Sequence, residues 1–284
     1  MTGRVLLIGG RRRTSPAPQP WSVAALAGLG ALFLALPVLA LLGRAVAEGS
    51  LATVLGSRVV ADALALSLAT TAASLVLTVG FGLPLAIMLA RGGLPGAGLV
   101  ESLVDLPIVL PPSVAGLALL LLLGRRGALG GPLDAFGIEL PFTTLAVVLA
   151  QTFVSAPFFI RSARTGLAAV DRDLEDAARA DGASEREVLW RVSLPLAGAS
   201  LAAGLVMTWA RSLGEFGATI MFAGNIEGRT QTLPLVVYGE FQGGDLDASI
   251  AAAAILVLAA FGVLVAVRAL RWGRALDAPG APGA

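Results

Sequence analysis

The chain has 284 residues, of which 56% are hydrophobic and only 14% are charged. A soluble domain of this size carries about a quarter charged residues, so the composition argues against a soluble protein and indicates one that crosses a membrane several times. The net charge of +1, with no Cys and no His, gives no reason to expect nucleic acid as a partner, disulfides or a metal site.

Lysine is also missing, because all 20 basic residues are arginines. A phosphate-binding loop of the type G-x-x-x-x-G-K-[ST] needs its lysine to reach the nucleotide phosphates. We therefore expect this chain to have no ATPase site, no other catalytic site and no cofactor. If its activity depends on ATP and Mg²⁺, a partner chain must bind them.

Six segments are long and apolar enough to cross a bilayer as helices, which takes about 20 residues each. They lie at 21–47, 59–90, 99–123, 142–160, 196–222 and 248–270. The sequence therefore predicts an all-α polytopic membrane protein with six transmembrane helices, in one domain covering 21–274. The flanking segments, 1–20 and 275–284, have the composition of disordered tails.

The first span follows three consecutive arginines and ends in a small-residue AVA motif at 45–47, which resembles a signal-peptide cleavage site. Its apolar run is longer than the roughly 7–15 residues of a signal peptide, so we expect an uncleaved anchor, with cleavage as the alternative. The second span carries Ser67, Thr71, Ser74 and Thr78 at helical spacing. These residues share one face, which predicts hydrogen bonds to neighbouring helices.

The third span begins with Glu101 and Asp105 and is then interrupted by prolines. Irregular backbone at membrane depth survives only inside protein or beside a cavity, so an apolar constriction that excludes water is predicted here. The candidate gate residues are Pro107, Val109, Leu110, Pro111, Pro112 and Ser113. An ordinary proline kink is the alternative.

A polar stretch at 171–195 separates spans four and five. Asp171 is a candidate cap for a first helix, and Gly182 is a candidate stop for it. Ser184 and Glu187 match a capping box for a second helix, which leads through Pro195 into span five. The sequence therefore predicts an arm of two short helices, and a solvated loop with ordinary caps is the simpler alternative.

Span five contains two ionisable residues four apart, Arg211 and Glu215. Charges at this depth are costly, and this spacing lets the two side chains pair. Whether they line a transport pathway or only pack helices together stays open at this point. In the loop that follows, Arg229, Thr230 and Gln231 are expected to be solvated, with contact to a partner protein as the alternative.

The placement of the arginines predicts that both termini lie in the cytoplasm. With that orientation, fourteen arginines fall on the inner side of the membrane and five on the outer side. Short loops with the larger number of positive charges remain cytoplasmic. The same orientation places the 171–195 arm in the cytoplasm.

The arm resembles the EAA loop of the permease subunits of binding-protein-dependent ABC importers, whose pattern is EAA-x3-G-x9-I-x-LP. Here Asp176 stands for the Glu and Val192 for the Ile, and the spacing matches without a gap. The resemblance implies the type I importer (MetI-like) fold and a short helix that docks into a groove of a separate ATPase subunit. The residues that it assigns to coupling are Glu175, Asp176, Ala177, Ala178, Arg179, Gly182, Ala183, Leu194 and Pro195.

Two further stretches, DLPIVLPPSVAGLALLLLLGRRGALG at 105–130 and SLGEFGATIMFAGNIEGRTQTLPLVVY at 212–238, resemble the molybdate/tungstate permeases more than their sulfate/thiosulfate relatives. The resemblance covers about 60–270. It implies a homodimer in the lipid of the bacterial plasma (inner) membrane, working with an ATPase dimer and an extracytoplasmic oxyanion-binding protein. Such a complex imports molybdate or tungstate by alternating access. Sulfate or thiosulfate is the alternative solute.

A passive anion channel or a stand-alone carrier is the alternative of a different class, and neither needs the arm. An intramembrane protease is disfavoured, because the serine type needs a histidine base and the aspartyl type needs two close carboxylates within the membrane. The chain has no histidine, and its Asp245 lies outside the predicted spans without a partner.

Overall fold

A computed structural model describes residues 20–49 and 56–276, with side chains up to residue 265. Every regular element in these ranges is helical. The helices are α1 Trp21–Ala47, α2 Arg58–Arg91, α3 Ala97–Val109, α4 Pro112–Leu123, α5 Gly130–Ala135, α6 Thr144–Ala168, α7 Arg172–Ala180, α8 Glu185–Val188, a π-helix Leu189–Ser193, α9 Leu194–Leu196, α10 Gly198–Leu213, α11 Gly217–Phe222, α12 Leu233–Gly243 and α13 Leu246–Leu276. The predicted tails lie almost entirely outside the described residues.

Two compact units divide the chain, one at 1–43 and one at 44–284. The first contains most of α1, a 27-residue apolar helix with Pro37 inside it. The second contains all the other helices, and the arm and both helix breaks belong to it.

Helix α6 is the centre of the second unit, because α2 and α10 both pack along it. In an apolar 18-residue stretch of α6, 67% of the residues are buried, against 28% in a stretch of the same length in α2. Toward the arm, Phe159, Ile160 and Ala163 form a core with Ala86 and Leu89 of α2. At the other end, α6 packs against α4 and α11.

Within the described residues, four helices are individually long and apolar enough to cross a membrane: Trp21–Ala47, Arg58–Arg91, Thr144–Ala168 and, in α13, Leu246–Val265. Two pairs pass the same test together but are bent, by 117° between α3 and α4 and by 69° between Glu185–Leu196 and α10. If each bent pair is one span, the total is six, as the sequence predicts. The predicted all-α membrane fold is confirmed.

Helix α12 was not predicted. It lies in the segment between spans five and six, and its Leu233 and Val236 are buried against α2 and α13. Thr230, which precedes it, was expected to be solvated but is fully buried, and its hydroxyl accepts a hydrogen bond from the Ile226 N–H at 2.9 Å. The loop between spans five and six is therefore partly a packed structure.

Candidate functional site

The polar arm consists of two capped helices, as predicted. Asp171 begins α7 by accepting a hydrogen bond from the Asp173 N–H at 3.0 Å. Ser184 and Glu187 form a complete capping box at the start of α8. Each cap satisfies N–H groups that have no partner within the helix, so both helix starts are fixed by local sequence.

The turn between the two helices is also fixed. Gly182 has a φ of +92°, in the left-handed region that residues with a side chain avoid. The Gly182 N–H donates to the Arg179 carbonyl and the Ala183 N–H to the Ala178 carbonyl, both at 3.0 Å. These two bonds constitute a Schellman motif, which closes a helix tightly. The predicted stop at Gly182 is therefore confirmed, and the arm has a defined angle.

Arg179 of α7 pairs across the turn with Glu185 of α8, and within its own helix with Asp176. Arg179 Nε lies 2.6 Å from Glu185 Oε1, and Arg179 Nη1 lies 2.7 Å from Asp176 Oδ1. The hydrogen bond from Arg179 lowers the pKa of Glu185, and the bonds to Glu185 and Asp176 raise the pKa of Arg179. Exposed pairs of this kind contribute little to stability, so their effect is to orient the two helices.

A π-helix follows α8 and was not predicted. The Leu194 N–H donates to the Leu189 carbonyl, five residues earlier. Pro195 has no N–H, so the α-helical bond to the Arg191 carbonyl cannot form there. Such π segments occur often at functional sites. Here the π-helix contains Ser193, which is buried and contacts the first arm helix.

Arg91, at the end of α2, joins the arm to the membrane bundle. Its Nη2 donates to Glu175 Oε1 at 3.3 Å and to Ser193 Oγ at 3.2 Å, and its Nη1 lies 3.8 Å from Glu185 Oε2. Ser193 Oγ in turn donates to Glu175 Oε1. These groups line a cavity of about 310 Å³ between the ends of α2 and α6 and the arm. The roles of Arg91 and Ser193 are not predictable from the sequence, since no local pattern pairs residues 84 and 102 positions apart.

The residues that the resemblance assigns to coupling differ in their solvent exposure. Glu175 faces inward, with only 14% of its side chain exposed. The exposed residues are Asp176, Ala177, Gly182 and Pro195, and the half-buried residues are Ala178, Arg179, Ala183 and Leu194. Leu174 is also exposed beside Ala177, so α7 has an open face with an apolar part, suitable for docking.

The predicted third span is two helices. α3 continues through Pro107 and ends at Val109, and α4 begins at Pro112. The break therefore lies at Leu110 and Pro111, both extended, because a residue before a proline avoids the helical region. At 117°, this bend is far larger than an ordinary proline kink.

The surroundings of this break differ from residue to residue. Pro107 is buried, whereas Val109 is 80% exposed and Ser113 is also exposed. Glu101 pairs with Arg164 at 2.8 Å and Asp105 with Arg161 at 3.5 Å, so ion pairs hold α3 to α6. The candidate gate residues Val109, Pro111, Pro112 and Ser113 are thus accessible at the surface of this single chain.

Span five was predicted as one helix over 196–222, and this is wrong. α10 begins at Gly198, after a bend at Ala197, and ends at Leu213. Residues 214–216 are not helical, and α11 then runs from Gly217 to Phe222. In the GEFG sequence at 214–217, Gly214 begins this interruption and Gly217 begins the next helix, and glycine is among the residues that least favour a helical backbone.

The two breaks pack against each other through glycine. A Cβ on Gly217 would lie 2.8 Å from Pro112 Cβ, and a Cβ on Gly116 would lie 2.5 Å from the Ala218 carbonyl oxygen. Only residues without side chains allow α4 and α11 to approach this closely. The proline-containing break of span three therefore packs directly against the GEFG sequence of span five.

Arg211 and Glu215 pair as predicted, with Arg211 Nη1 2.5 Å from Glu215 Oε2. Glu215 is 1% exposed, and its Oε1 accepts a hydrogen bond from the Ala218 N–H at 2.7 Å. Its carboxylate therefore holds the start of α11. The Arg211 side chain remains 28% exposed, so the cation is the accessible member of the pair.

The hydrogen bonds to neighbouring helices that were predicted for the polar stripe of α2 form at Ser67 and Ser74 only. The stripe is buried, but the hydroxyls of Thr71 and Thr78 have no hydrogen-bond partner among the described residues. Ser74 Oγ lies 3.2 Å from Ser212 Oγ of α10 and accepts from Thr152 Oγ1 of α6 at 3.1 Å. Ser67 Oγ accepts from the Leu233 N–H at 2.8 Å. Hydrogen bonds from Ser67 and Ser74 therefore connect α2 to three other helices.

Residues 82–272 match the family model described as the inner membrane component of binding-protein-dependent transport systems. The chain belongs to this family. The permease is 46% identical over 207 residues to the molybdenum transport system permease protein ModB of Mycobacterium tuberculosis, which covers 73% of this chain and 78% of the relative. It is 37% identical over 249 residues to the sulfate transport system permease protein CysW of Synechococcus elongatus, covering 84% and 87%.

A solved structure supports the fold of the permease. The crystal structure of a bacterial alginate ABC transporter, in complex with its alginate pentasaccharide-bound periplasmic protein, contains a chain that matches with a TM-score of 0.68 at 18% identity. The match covers 92% of this chain and 96% of that chain. The predicted type I importer fold and the similarity to molybdenum permeases are confirmed.

Proposed function

We propose that this permease imports molybdate or tungstate into the bacterial cytoplasm as a homodimer in the plasma membrane. An extracytoplasmic binding protein delivers the oxyanion, and two copies of a separate ABC ATPase drive alternating access. This chain forms the conduit and has no ATPase site of its own. The permease family and the similarity to ModB support the proposal.

The arm is the observation that carries this function. Both of its helices are capped, its turn is a closed Schellman motif, and its second helix continues toward span five. A rigid element with an open docking face can transmit force between two chains, which a passive channel does not need. We propose that the arm and both termini lie in the cytoplasm, in accord with the arginine distribution.

The break regions are the proposed gate. Val109, Pro111 and Pro112 are accessible where α3 and α4 meet, and Arg211 is the accessible member of the pair with Glu215, whose carboxylate holds the start of α11. A conduit that combines an apolar gate with an accessible cation suits passage of an oxyanion. Glu215 offsets part of that charge, so binding at this point is weak enough to allow release.

Uptake by cells expressing the native permease, its ATPase and its binding protein tests this proposal. We expect radiolabelled molybdate to accumulate, unlabelled tungstate to compete with it, and a large excess of sulfate not to compete. Equal competition by sulfate would instead identify a sulfate importer, which the similarity to CysW makes the second candidate.

A second experiment deletes residues 173–182, which form most of the first arm helix and the turn after it. We expect this deletion to abolish ATP-driven uptake while the chain still inserts into the membrane. Continued flux without the arm or the ATPase would identify a passive channel. The matched control deletes a segment of the same length, residues 275–284, which is not part of the arm.

A further inference from the structure

Resting on the proposed function, we infer that Arg91 is a positioning residue that clamps the coupling arm to α2 and carries the arm's movement into that helix. The clamp consists of Arg91, Glu175 and Ser193, together with the more distant Glu185. Its members come from four different elements: α2, α7, α8 and the π-helix.

The backbone alone connects the arm to only two helices of the bundle. Its first end follows α6 directly, and its second end continues through α9 into α10. Helix α2 ends at Arg91, well before the arm in sequence. Side-chain contact at Arg91 therefore supplies a third attachment, to a helix that the chain does not join to the arm.

Burial shows that this attachment differs from the ion pairs on the open side of the arm. The two arginines are equally exposed, Arg91 at 34% and Arg179 at 33%, so the difference lies in their partners. Glu175 and Ser193 of the clamp are 14% and 1% exposed, whereas Asp176 and Glu185 on the open side are 71% and 66% exposed. Apolar residues of α2 and α6, including Ile87 and Leu167, line the same cavity. Partly buried, hydrogen-bonded charges are screened less by solvent than exposed pairs, so they resist separation when the arm is displaced.

The charge pattern connects the clamp to the docking face. Arg179 also reaches Glu175, at 3.5 Å, and Glu185, at 2.6 Å. Two arginines thus share two glutamates. A protein that docks on the Asp176 and Arg179 side and draws Arg179 away leaves both glutamates to Arg91, which tightens the clamp during docking.

Helix α2 is suited to carry the movement onward. Its 34 residues span about 50 Å, roughly the full thickness of a membrane with its headgroups. Along its length, Ser74 bonds to α6 and α10, and Ser67 bonds to the start of α12 on the far side. A displacement applied at Arg91 therefore reaches the opposite end of the bundle through one continuous helix.

The test uses the complete transporter with its ATPase and binding protein, reconstituted in liposomes. We expect Arg91→Ala to keep the ATPase subunit bound and hydrolysing ATP, while molybdate imported per ATP falls about tenfold or more. Arg91→Lys keeps the charge but loses the forked donor geometry of the guanidinium. It should therefore recover only part of the native ratio of molybdate imported to ATP hydrolysed. Arg58→Ala, at the other end of α2 with its side chain 95% exposed, is the matched control and should match the native ratio.

Ser193→Ala should lower the ratio less than Arg91→Ala, and the double variant should be no worse than Arg91→Ala alone, because the two side chains act as one unit. An unchanged ratio in Arg91→Ala, or a fall in uptake that only follows loss of the ATPase subunit, would overturn the inference.

A second readout does not depend on the solute. The chain has no Cys, so spin labels at Gly93→Cys and Arg186→Cys report the position of the arm relative to α2 without background. A Cβ at Gly93 meets no atom within 4 Å. We expect one narrow distance distribution in the native chain and a broad one in Arg91→Ala. If the native complex hydrolyses ATP without importing any oxyanion, the proposed function fails, whereas identical distributions in the two chains refute the clamp itself.

Discussion

Replacing Gly182 with Ala tests whether the turn of the arm is held by backbone conformation. At φ +92°, an L-residue is strained, and the left-handed conformation costs about 1–2 kcal/mol relative to Gly. A Cβ at this position meets nothing within 4 Å, so no steric clash adds to the cost. We therefore expect the free energy of opening the turn to fall by about 1–2 kcal/mol, a factor of roughly 5–30 in the open population.

Hydrogen exchange at the Gly182 and Ala183 amides measures this opening directly, because these N–H groups make the Schellman bonds. In the intact chain, held in lipid nanodiscs, Gly182→Ala should accelerate exchange at both amides by about that factor. Gly182→Asn should accelerate it less, since Asn adopts the left-handed conformation more readily.

Gly198→Ala is the matched control for this measurement. Gly198 also has no atom within 4 Å of a Cβ, but its φ is not positive and it lies in α10. This replacement should leave exchange in the arm unchanged, because it removes no left-handed residue. Equal exchange rates in the native chain and Gly182→Ala would show that the turn is held by the Arg179 ion pairs instead.

Three further predictions concern the docking face, the buried ion pair and pH. Ala177→Arg places a long cation on the exposed face of α7 and should abolish co-purification of the ATPase subunit, with membrane insertion intact; unchanged co-purification refutes docking there. Arg211→Ala should lower uptake about tenfold without loss of ATPase binding, and native uptake in that variant would reduce the pair to packing. Because Arg179 holds the pKa of Glu185 below its usual 4.5, the pair stabilises the arm above that value and is lost as pH falls through the lowered pKa. Spin-label mobility at Ala180→Cys should therefore stay constant from about pH 8 to pH 5 and rise only below about pH 4.5, and a rise near neutral pH would contradict this assignment.

The features that the sequence predicts correctly are those determined by neighbours in the chain. The caps at Asp171 and Ser184 and the stop at Gly182 each depend on residues within one helical turn. Proline likewise acts on its own residue and the one before it, so the interruption at Pro111 was predictable. The size of the bend was not, because it depends on how α4 packs against α11.

The Arg211–Glu215 pair shows that a correct prediction can have a different physical cause. The spacing of four residues suggested pairing on one helix face, but α10 ends at Leu213, between the two residues. Glu215 is held instead by its hydrogen bond to the Ala218 N–H of the next helix. The carboxylate thus belongs to the break, where it joins α10 to α11.

Contacts between distant segments account for what the sequence did not predict. Arg91 is the last residue of a long apolar helix, and this position alone indicates only a charge at the membrane surface. Its bond to Glu175 spans 84 positions and requires α2 to pack against α6, so that the two helix ends frame the arm. That packing depends on apolar residues far from the arm, such as Phe159 and Ala86. The position of the arm relative to the bundle is thus determined by the bundle core as well as by the arm's own motif, and Arg91 is where the two meet.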